Sequence, residues 1–368
     1  MMRIDGVEQL YRLRRHLHLP AGRRAPRALK KANVLRYALK YALWAVRPGG
    51  RIEIVDDGPD TFDIKLMRMP FSVVRQHCFK VYRDEAELVE LDAAGLRLVF
   101  ERRRLVTAPG WSAGLIFSGN AREMPYLARA IDALQAQPEL SAAAGGQIMV
   151  CGPAPARPLL DAWPDVEYLA FEEVSSQRAF TTRKKNALIA AARNPRVAIL
   201  HTRILLESGC LAAFPREFDV TTPRVVYREG ERSIPYIDWV VAHNFAFDRL
   251  PHRLQSSLFY ARNDHLAQLA TGGLPYVDGG VFVGMRDVLR AVPLNPYLAW
   301  GEAEDNEWCS RLQSEGYLVD LDASAEATSQ SFKLPRRLFE RPGLWRRASA
   351  LHRLAVNVGQ RCREIFTP

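Results

Sequence analysis

The chain has 368 residues, of which 48% are hydrophobic, and a formal net charge of +10 at pH 7. This length and composition exclude an intrinsically disordered chain and predict a sizeable core, in one large domain or in two. No apolar run approaches the roughly 18 residues that a membrane-spanning helix needs, and the arginine-rich start has no apolar signal-peptide core behind it, so we expect a cytoplasmic protein.

The charge is unevenly distributed along the chain. Residues 1–50 hold 12 Lys and Arg against 2 Asp and Glu, and residues 331–368 hold 9 against 2, so the middle of the chain is acidic. Cationic ends suit an anionic membrane surface or nucleic acid, whereas an acidic middle argues against a nucleic-acid groove in the body of the protein. Solvated surface arginines would give the same pattern. The five cysteines contain no Cys-x-x-Cys pair, so we expect reduced thiols.

Residues 1–108 predict a small α/β subdomain. A helical pattern over residues 34–46 ends at an Arg-Pro-Gly-Gly turn and is followed by a strand over 51–55, a helix over 85–94 and a strand over 96–100. This order resembles the carboxyl-terminal half of a class I methyltransferase that uses S-adenosylmethionine. No glycine-rich loop precedes it, so the part that would bind the cofactor is missing. We expect a partial methyltransferase-like subdomain without methyl transfer.

Residues 109–332 alternate between strand and helix patterns. Strands are predicted over 114–117, 147–151, 166–171 and 197–200, and helices over 124–136 and before the last of these strands. Strict alternation predicts an α/β fold with a mostly parallel sheet and helices on both faces. Its ligand crevice should lie at the carboxyl ends of the strands.

The most specific stretch at those carboxyl ends is "TRKKNALIAAARNPRVAILHTR", a Lys/Arg-rich helix with an Asn, followed by an apolar strand. With the polar residues that follow the other strands, it resembles the nucleotide-sugar half of a GT-A glycosyltransferase, of the family-2-like type that builds bacterial surface polysaccharides. The resemblance implies a nucleoside-diphosphate sugar as donor. The donor-binding residues that it implies are Ser118, Asn120, Arg122, Arg183, Lys184, Lys185, Asn186, His201, Thr202 and Arg203.

The strand ends in His201-Thr202-Arg203, where many relatives carry Asp-x-Asp or His-Asp-Arg. A departing diphosphate needs its charge neutralised, either by a divalent ion on carboxylates or by Lys and Arg directly. Because Thr202 replaces the central acid and one imidazole is a poor site for a hard ion, we favour direct charge compensation and leave metal dependence open. His201 fits a ligand role and a simple hydrogen-bonding role equally, and the two lysines would also suit a solvated helix face.

The second half supplies the acceptor side. Small residues at Asp278-Gly279-Gly280 precede an apolar strand, and glycines there let backbone approach a sugar closely. The segment from Trp300 to Leu312 resembles the Trp-Gly…Glu-Asp acceptor motif of inverting GT-A enzymes. The resemblance implies Asp305 as the base, with Glu304 or Glu302 binding acceptor hydroxyls and Trp300 beside the acceptor. An acidic helix start that serves only stability would give the same pattern.

The last segment, over 333–368, carries apolar residues at helical spacing between 344 and 358 with arginines elsewhere on the turn. Such a basic amphipathic helix suits an anionic bilayer or packing on the body of the enzyme, and we favour the membrane. The sequence therefore predicts a membrane-peripheral inverting glycosyltransferase that acts on a glycan or lipid-linked glycan, as in O-antigen or capsule synthesis. A catalytically inactive sugar-binding scaffold is the alternative, and a methyltransferase is a weaker one; the oligomeric state is left open.

Overall fold

The computed structural model of the chain describes residues 2–4, 32–55, 63–64, 67–68, 70–92, 97–103, 110–172, 179–229, 232–235, 239–242, 258–260, 274–277 and 279–331. The helices are α1 Ala32–Ala45, α2 Pro70–Tyr82, α3 Met124–Gln135, α4 Thr181–Ala191, α5 Cys210–Ala213, α6 Arg286–Ala291 and α7 Glu304–Ser314. None of these helices is both long and apolar enough to cross a bilayer. The predicted helix over 344–358 lies outside the described residues.

The strands of the described residues form a main sheet, a smaller amino-terminal sheet and two short ones. The strands are β1 Met2–Ile4, β2 Arg51–Val55, β3 Asp63–Ile64, β4 Met67–Arg68, β5 Ala86–Leu91, β6 Arg97–Arg102, β7 Trp111–Ile116, β8 Gln147–Gly152, β9 Val166–Ala170, β10 Arg196–His201, β11 Ile204–Leu206, β12 Val220–Glu229, β13 Arg232–Pro235, β14 Trp239–Ala242, β15 Leu258–Tyr260, β16 Leu274–Val277, β17 Val281–Met285 and β18 Val319–Ser329. The main sheet has the order β11-β18-β12-β17-β10-β7-β8-β9, with β13 paired to β12.

The strand order reverses beside β7. From β7 the chain moves to β8 and β9 on one side and then returns to β10 on the other, and all four strands are parallel. The antiparallel strand β17 then lies between β10 and β12. This mixed α/β sheet confirms the predicted fold class. Ligands of such sheets bind outside the carboxyl ends of the strands at the reversal, here between β7 and β10.

Helices cover both faces of the main sheet. Successive residues of a strand point to opposite faces, so each strand contributes side chains to both core layers. Val197 and Ile199 of β10 belong to one core layer, with α4, α6 and α7. Ala198 and Leu200 belong to the other layer, with α3 and α5. All four of these residues are at most 1% exposed, which explains why the sequence of β10 contains a continuous apolar run.

The amino-terminal sheet has the order β1-β2-β6-β5 and packs beneath α1 and α2 in a core of its own. The predicted strand over 51–55 and the helix over 34–46 are confirmed as β2 and α1. The predicted helix over 85–94 is wrong, because Ala86–Leu91 pairs antiparallel with β6. Pairing with a neighbouring strand here overrides the helical propensity of an Ala-, Glu- and Leu-rich segment. The methyltransferase resemblance thereby loses one of its elements.

A buried ionic cluster joins the amino-terminal unit to the main sheet. Lys40 of α1 lies 3.3 Å from Asp219, just before β12, and also pairs with Glu85. Burial raises the pKa of Asp219 to about 6, against the opposing effect of Lys40. Burial would lower the pKa of Lys40, but the two carboxylates outweigh it and raise that pKa, so the lysine keeps its charge. The buried ammonium group of Lys40 therefore pairs with two carboxylates from different parts of the chain.

The four cysteines of the described residues are buried, and none of them forms a disulfide. Burial raises the pKa of Cys210 to about 12, and it also raises the pKa of Cys78 and of Cys309. Raised pKa values keep the sulfurs as thiols, which behave as small apolar side chains in the core.

Replacing Lys40 with methionine should strongly destabilise the protein. The change leaves Asp219 and Glu85 together without their cation in a buried site, and breaking a buried pair in this way costs about 3–5 kcal/mol of the free energy of unfolding. Urea denaturation measures the loss. Arg51→Ala, which breaks an exposed pair with Glu101 in the same unit, should cost less than about 1 kcal/mol. Equal losses in the two variants would contradict the role of Lys40.

Candidate functional site

Three elements bring polar groups to one edge of the main sheet, beside the reversal of strand order. β10 ends at His201, parallel to β7. β17 is antiparallel to β10, so its first residue, Val281, pairs with Leu200 at that same end. The turn of Gly279 and Gly280 precedes it, and the His201 N–H donates to the Gly280 carbonyl at 2.9 Å. The end of β10 and the start of β17 therefore form one rigid rim.

Two adjoining cavities open at this edge. The first, of about 340 Å³, is lined by the predicted donor residues Ser118, Lys184, His201, Thr202 and Arg203, and we call it the cationic cavity. The second, of about 300 Å³, is lined by Gly279, Gly280, Glu304 and Asp305, and we call it the carboxylate cavity. His201 and Trp300 line both cavities. The site is therefore bipartite, with a cationic and an acidic compartment on either side of a shared wall.

The cationic cavity also has lining residues that were not predicted from the sequence, among them Glu123, Tyr126 and Thr181. Glu123 and Tyr126 stand at the start of α3, directly after the loop that follows β7. Thr181 is the first residue of α4. In a parallel sheet the helices begin at the edge where the strands end, so the first turn of each helix was the signal that could have found them.

The two lysines of α4 are buried, not solvated. Lys184 lines the cationic cavity, and its Nζ donates to the Phe117 carbonyl at 3.0 Å. Lys185 is fully buried, and its Nζ lies 3.7 Å from Glu304 Oε1 at the start of α7. The helix thus directs one cation to the end of β7 and the other to the base of the carboxylate cavity. These two lysines therefore do not lie on a solvated face of the helix.

Arg183 and Asn186 lie elsewhere than predicted. The Arg183 Nε donates to the Pro296 carbonyl at 2.7 Å. Asn186 donates to the Leu294 carbonyl at 2.7 Å and accepts from the Leu294 N–H at 3.0 Å. Neither side chain lines either cavity. The structure does not bring either side chain to the two cavities; both hold the segment that leads to Trp300 against α4.

Asn120, Arg122 and Glu302 also stand outside the two cavities. The Asn120 Oδ1 accepts from the Arg122 N–H at 3.0 Å and caps a short turn, while the Arg122 side chain is exposed. The Glu302 carboxylate accepts from the Ala299 N–H at 2.8 Å. Their contacts stabilise loops around the site. Asp278, the remaining predicted residue, lies outside the described residues.

Asp305 is held in one orientation at the start of α7. One carboxylate oxygen accepts from the Gly279 N–H at 3.1 Å. The other accepts from the Asn306 backbone N–H at 2.8 Å and from its side-chain amide at 3.2 Å. The preceding turn uses left-handed backbone at Gly301, with φ 86°, and at Ala303, with φ 57°. A left-handed alanine costs about 1 kcal/mol or more, and such strain tends to collect at functional sites.

Glycine at position 279 allows this arrangement to pack. A Cβ there would lie 3.0 Å from the Lys185 Nζ and 3.2 Å from Glu304 Oε1, so the side chains of this buried pair would have to shift to admit it. Glu304 is only 6% exposed although it lines the carboxylate cavity. Its pairing with Lys185 fits a residue that anchors the first turn of α7, beside Asp305.

The described residues contain no group of three His, Cys, Asp and Glu side chains that is close enough to hold a metal ion. In the cationic cavity the side chains nearest the end of β10 are an imidazole, a hydroxyl and a guanidinium. A guanidinium has no lone pair for a metal, and hard ions prefer several oxygens. This donor set does not fit a divalent cation.

Comparison with known proteins gives distant structural similarities only. The crystal structure of GalNAc-T7 with UDP, GalNAc and Mn²⁺ is 11% identical over 62% of this chain and 44% of that chain, with a TM-score of 0.46. The structure of S. aureus TarS 1–349 with UDP-GlcNAc is 12% identical over 61% of this chain and 60% of that chain, with a TM-score of 0.39. Each match spans less than two thirds of the other chain. No protein-family model matches the sequence, and no curated protein is significantly similar to it.

Lys185 and Glu304 should show strong energetic coupling. Lys185→Met leaves a buried carboxylate without its cation, and we expect it to lower the free energy of unfolding by about 3–5 kcal/mol. Adding Glu304→Gln removes that charge, so the double variant should recover part of the loss. Urea denaturation of the two single variants and the double variant gives the coupling energy. Losses that simply add would show that the two side chains act independently.

Proposed function

We propose that this protein is a glycosyltransferase that transfers a sugar from a nucleoside-diphosphate donor to a hydroxyl of an acceptor. The observation that carries the proposal is the bipartite site. A cationic compartment suits an anionic leaving group, and an oriented carboxylate in the adjoining compartment suits a general base. The sugar would be transferred across the shared wall of His201 and Trp300.

The cationic cavity suits the diphosphate of the donor. Arg203 and Lys184 both line it, and fixed cations at the position where a leaving group gains charge stabilise the transition state. Thr181, which begins the 11-residue helix α4, lines it as well. The positive end of a helix dipole favours phosphate groups, so the helix adds to the potential of the two side chains.

Asp305 is the proposed general base. A base must be oriented toward the proton that it removes, and the Gly279 and Asn306 hydrogen bonds orient this carboxylate. Glu304 is paired with buried Lys185 and would serve as a support for that first turn. A base in one compartment and the leaving group in the other would place attack opposite departure, which inverts the sugar carbon.

Trp300 is the proposed acceptor platform. Its side chain is 58% exposed although it stands between two cavities. Its backbone N–H donates to the Ala179 carbonyl at 2.9 Å, which ties the platform to the start of α4. An exposed aromatic face gives a sugar ring an apolar surface at low entropic cost. The glycines of the opposite wall would let the acceptor approach the backbone.

The acceptor class and the cellular setting rest on the sequence resemblance. We propose a glycan or lipid-linked glycan of bacterial surface polysaccharide synthesis as acceptor, and contact with an anionic membrane through the basic segment over 333–368. We further propose that residues 109–332 form the transferase unit. The amino-terminal unit, joined to it by the buried ionic cluster, would support α7 and β18, to which α1 donates hydrogen bonds.

Asp305→Asn should lower the rate of sugar transfer by about 10²- to 10⁴-fold, because the amide cannot accept the proton of the attacking hydroxyl. Binding of uridine diphosphate should change little, since the substitution lies in the other cavity. Donor turnover and calorimetric titration measure the two effects. Glu307→Gln is the matched control: it lies on the same helical turn, and its carboxylate pairs with Arg311 at 2.6 Å. Its transfer rate should equal that of the wild type.

Calorimetry with a series of nucleoside diphosphates and with S-adenosylmethionine separates the proposal from its rivals. Diphosphate binding with donor turnover supports the transferase. Diphosphate binding without turnover of any donor, in both wild type and Asp305→Asn, would favour the inactive scaffold. Binding of S-adenosylmethionine alone would favour the methyltransferase and overturn the proposal.

A further inference from the structure

The end of β10 is the position at which the resembled family places metal-binding acids, and the residues found there do not fit a metal ion. Thr202 supplies one neutral oxygen, and His201 and Arg203 stand on either side of it. The contacts between these side chains indicate what they do instead of binding a metal.

His201 and Arg203 form a directed pair. The Arg203 Nη1 lies 3.0 Å from the His201 Nδ1. A guanidinium only donates hydrogen bonds and stays protonated in proteins, so Nδ1 must be the acceptor in this pair. The ring proton then sits on Nε2. Because one ring nitrogen has its lone pair directed at Arg203 and the other carries the proton, neither can ligate a metal ion without breaking this arrangement.

The nearby carboxylates are engaged in other contacts. Glu304 lies beside Lys185, and Asp305 accepts from the Gly279 N–H. The Glu123 carboxylate, which lines the cationic cavity, accepts a hydrogen bond from the Ser118 N–H, with 3.4 Å between the nitrogen and the oxygen. Recruiting Glu304 to a metal at β10 would take its carboxylate from Lys185, which would lose its counter-ion in a buried site.

Two cationic side chains already line the cavity at the end of β10. Arg203 and Lys184 line the same cavity, and Lys184 is only 4% exposed. Its ammonium is fixed by the Phe117 carbonyl, and the Arg203 backbone carbonyl accepts from the Gln330 N–H at 2.7 Å. A divalent cation would be repelled by both groups, whereas a diphosphate would be attracted by both.

We propose that this protein binds the diphosphate of its donor without a divalent cation, through Arg203 and Lys184, with His201 orienting the Arg203 guanidinium. The inference rests on the proposed function, because it concerns the donor of that same reaction. A planar guanidinium presents paired donors that match phosphate oxygens, and the imidazole accepts one N–H so that the others keep a fixed direction.

Calorimetric titration of the full chain with uridine diphosphate, in a chelator and in Mn²⁺, tests the proposal. We expect equal affinities in the two buffers. Arg203→Gln should weaken binding by about tenfold to a hundredfold in both, the range for a lost charge-assisted hydrogen bond, and Arg203→Lys should recover part of it. Arg193→Gln is the control, because it removes an exposed cation that pairs with Glu167; its affinity should be unchanged.

A second series of variants tests whether the binding of uridine diphosphate can be made dependent on a metal ion. His201→Asp with Arg203→Asp supplies the oxygen ligands that hard ions prefer. This double variant should bind uridine diphosphate weakly in the chelator and more tightly in Mn²⁺. To test the role of His201, its replacement by alanine should weaken binding and His201→Asn, whose amide oxygen can accept from Arg203, should restore it. Circular dichroism verifies that each variant is folded.

The outcomes distinguish this inference from the function on which it rests. Wild-type binding that strengthens tenfold or more in Mn²⁺ overturns the metal-free mode and leaves the transferase in place. Unchanged affinity in Arg203→Gln overturns the role of Arg203 in the same way. If no nucleoside diphosphate binds in either buffer, the proposed function and the inference both fail.

Discussion

The reversal of strand order between β7 and β10 is the constraint on which the site depends. Chain connections leave β7 toward β8 and return to β10 on its other side, so the loops that follow β7 and β10 diverge and leave a crevice between them. β10 can occupy this central place because its residues are apolar on both faces. The first polar residue after that run, His201, therefore emerges at the crevice.

Helix α4 connects the two compartments although it lacks a clear apolar face. Its lysines point to different partners, the end of β7 and the start of α7, and Asn186 holds the segment before Trp300. Burying two ammonium groups is costly unless each has a partner. The molecule accepts this cost in a helix that lines the cationic cavity and pairs with Glu304 of the carboxylate cavity, which favours a role in fixing their relative position over a role in stability alone.

The sequence was sufficient to predict most elements but not the directions of side chains. Apolar runs and turn residues located β7, β8 and β10, whereas residues 85–94 were misread as a helix because strand pairing with β6 is invisible locally. In the same way, a stretch of Lys and Arg in a helix indicates an anion-binding site, but it does not show which turn of the helix faces that site. Arg183 and Asn186 face a loop, and Glu123 and Tyr126 approach the cavity from α3; only the tertiary arrangement decides between such faces.

The two compartments are joined by backbone more than by long side chains. Asp305 accepts from Gly279, the next residue, Gly280, accepts from the His201 N–H, and His201 in turn contacts Arg203. A carboxylate and a guanidinium are thereby linked through two adjacent glycines and one imidazole. Short links of this kind leave few rotatable bonds between the proposed base and the proposed phosphate contact, so their separation is set by the pairing of β10 with β17. Reactions that depend on groups acting from opposite sides of one atom need that kind of fixed spacing.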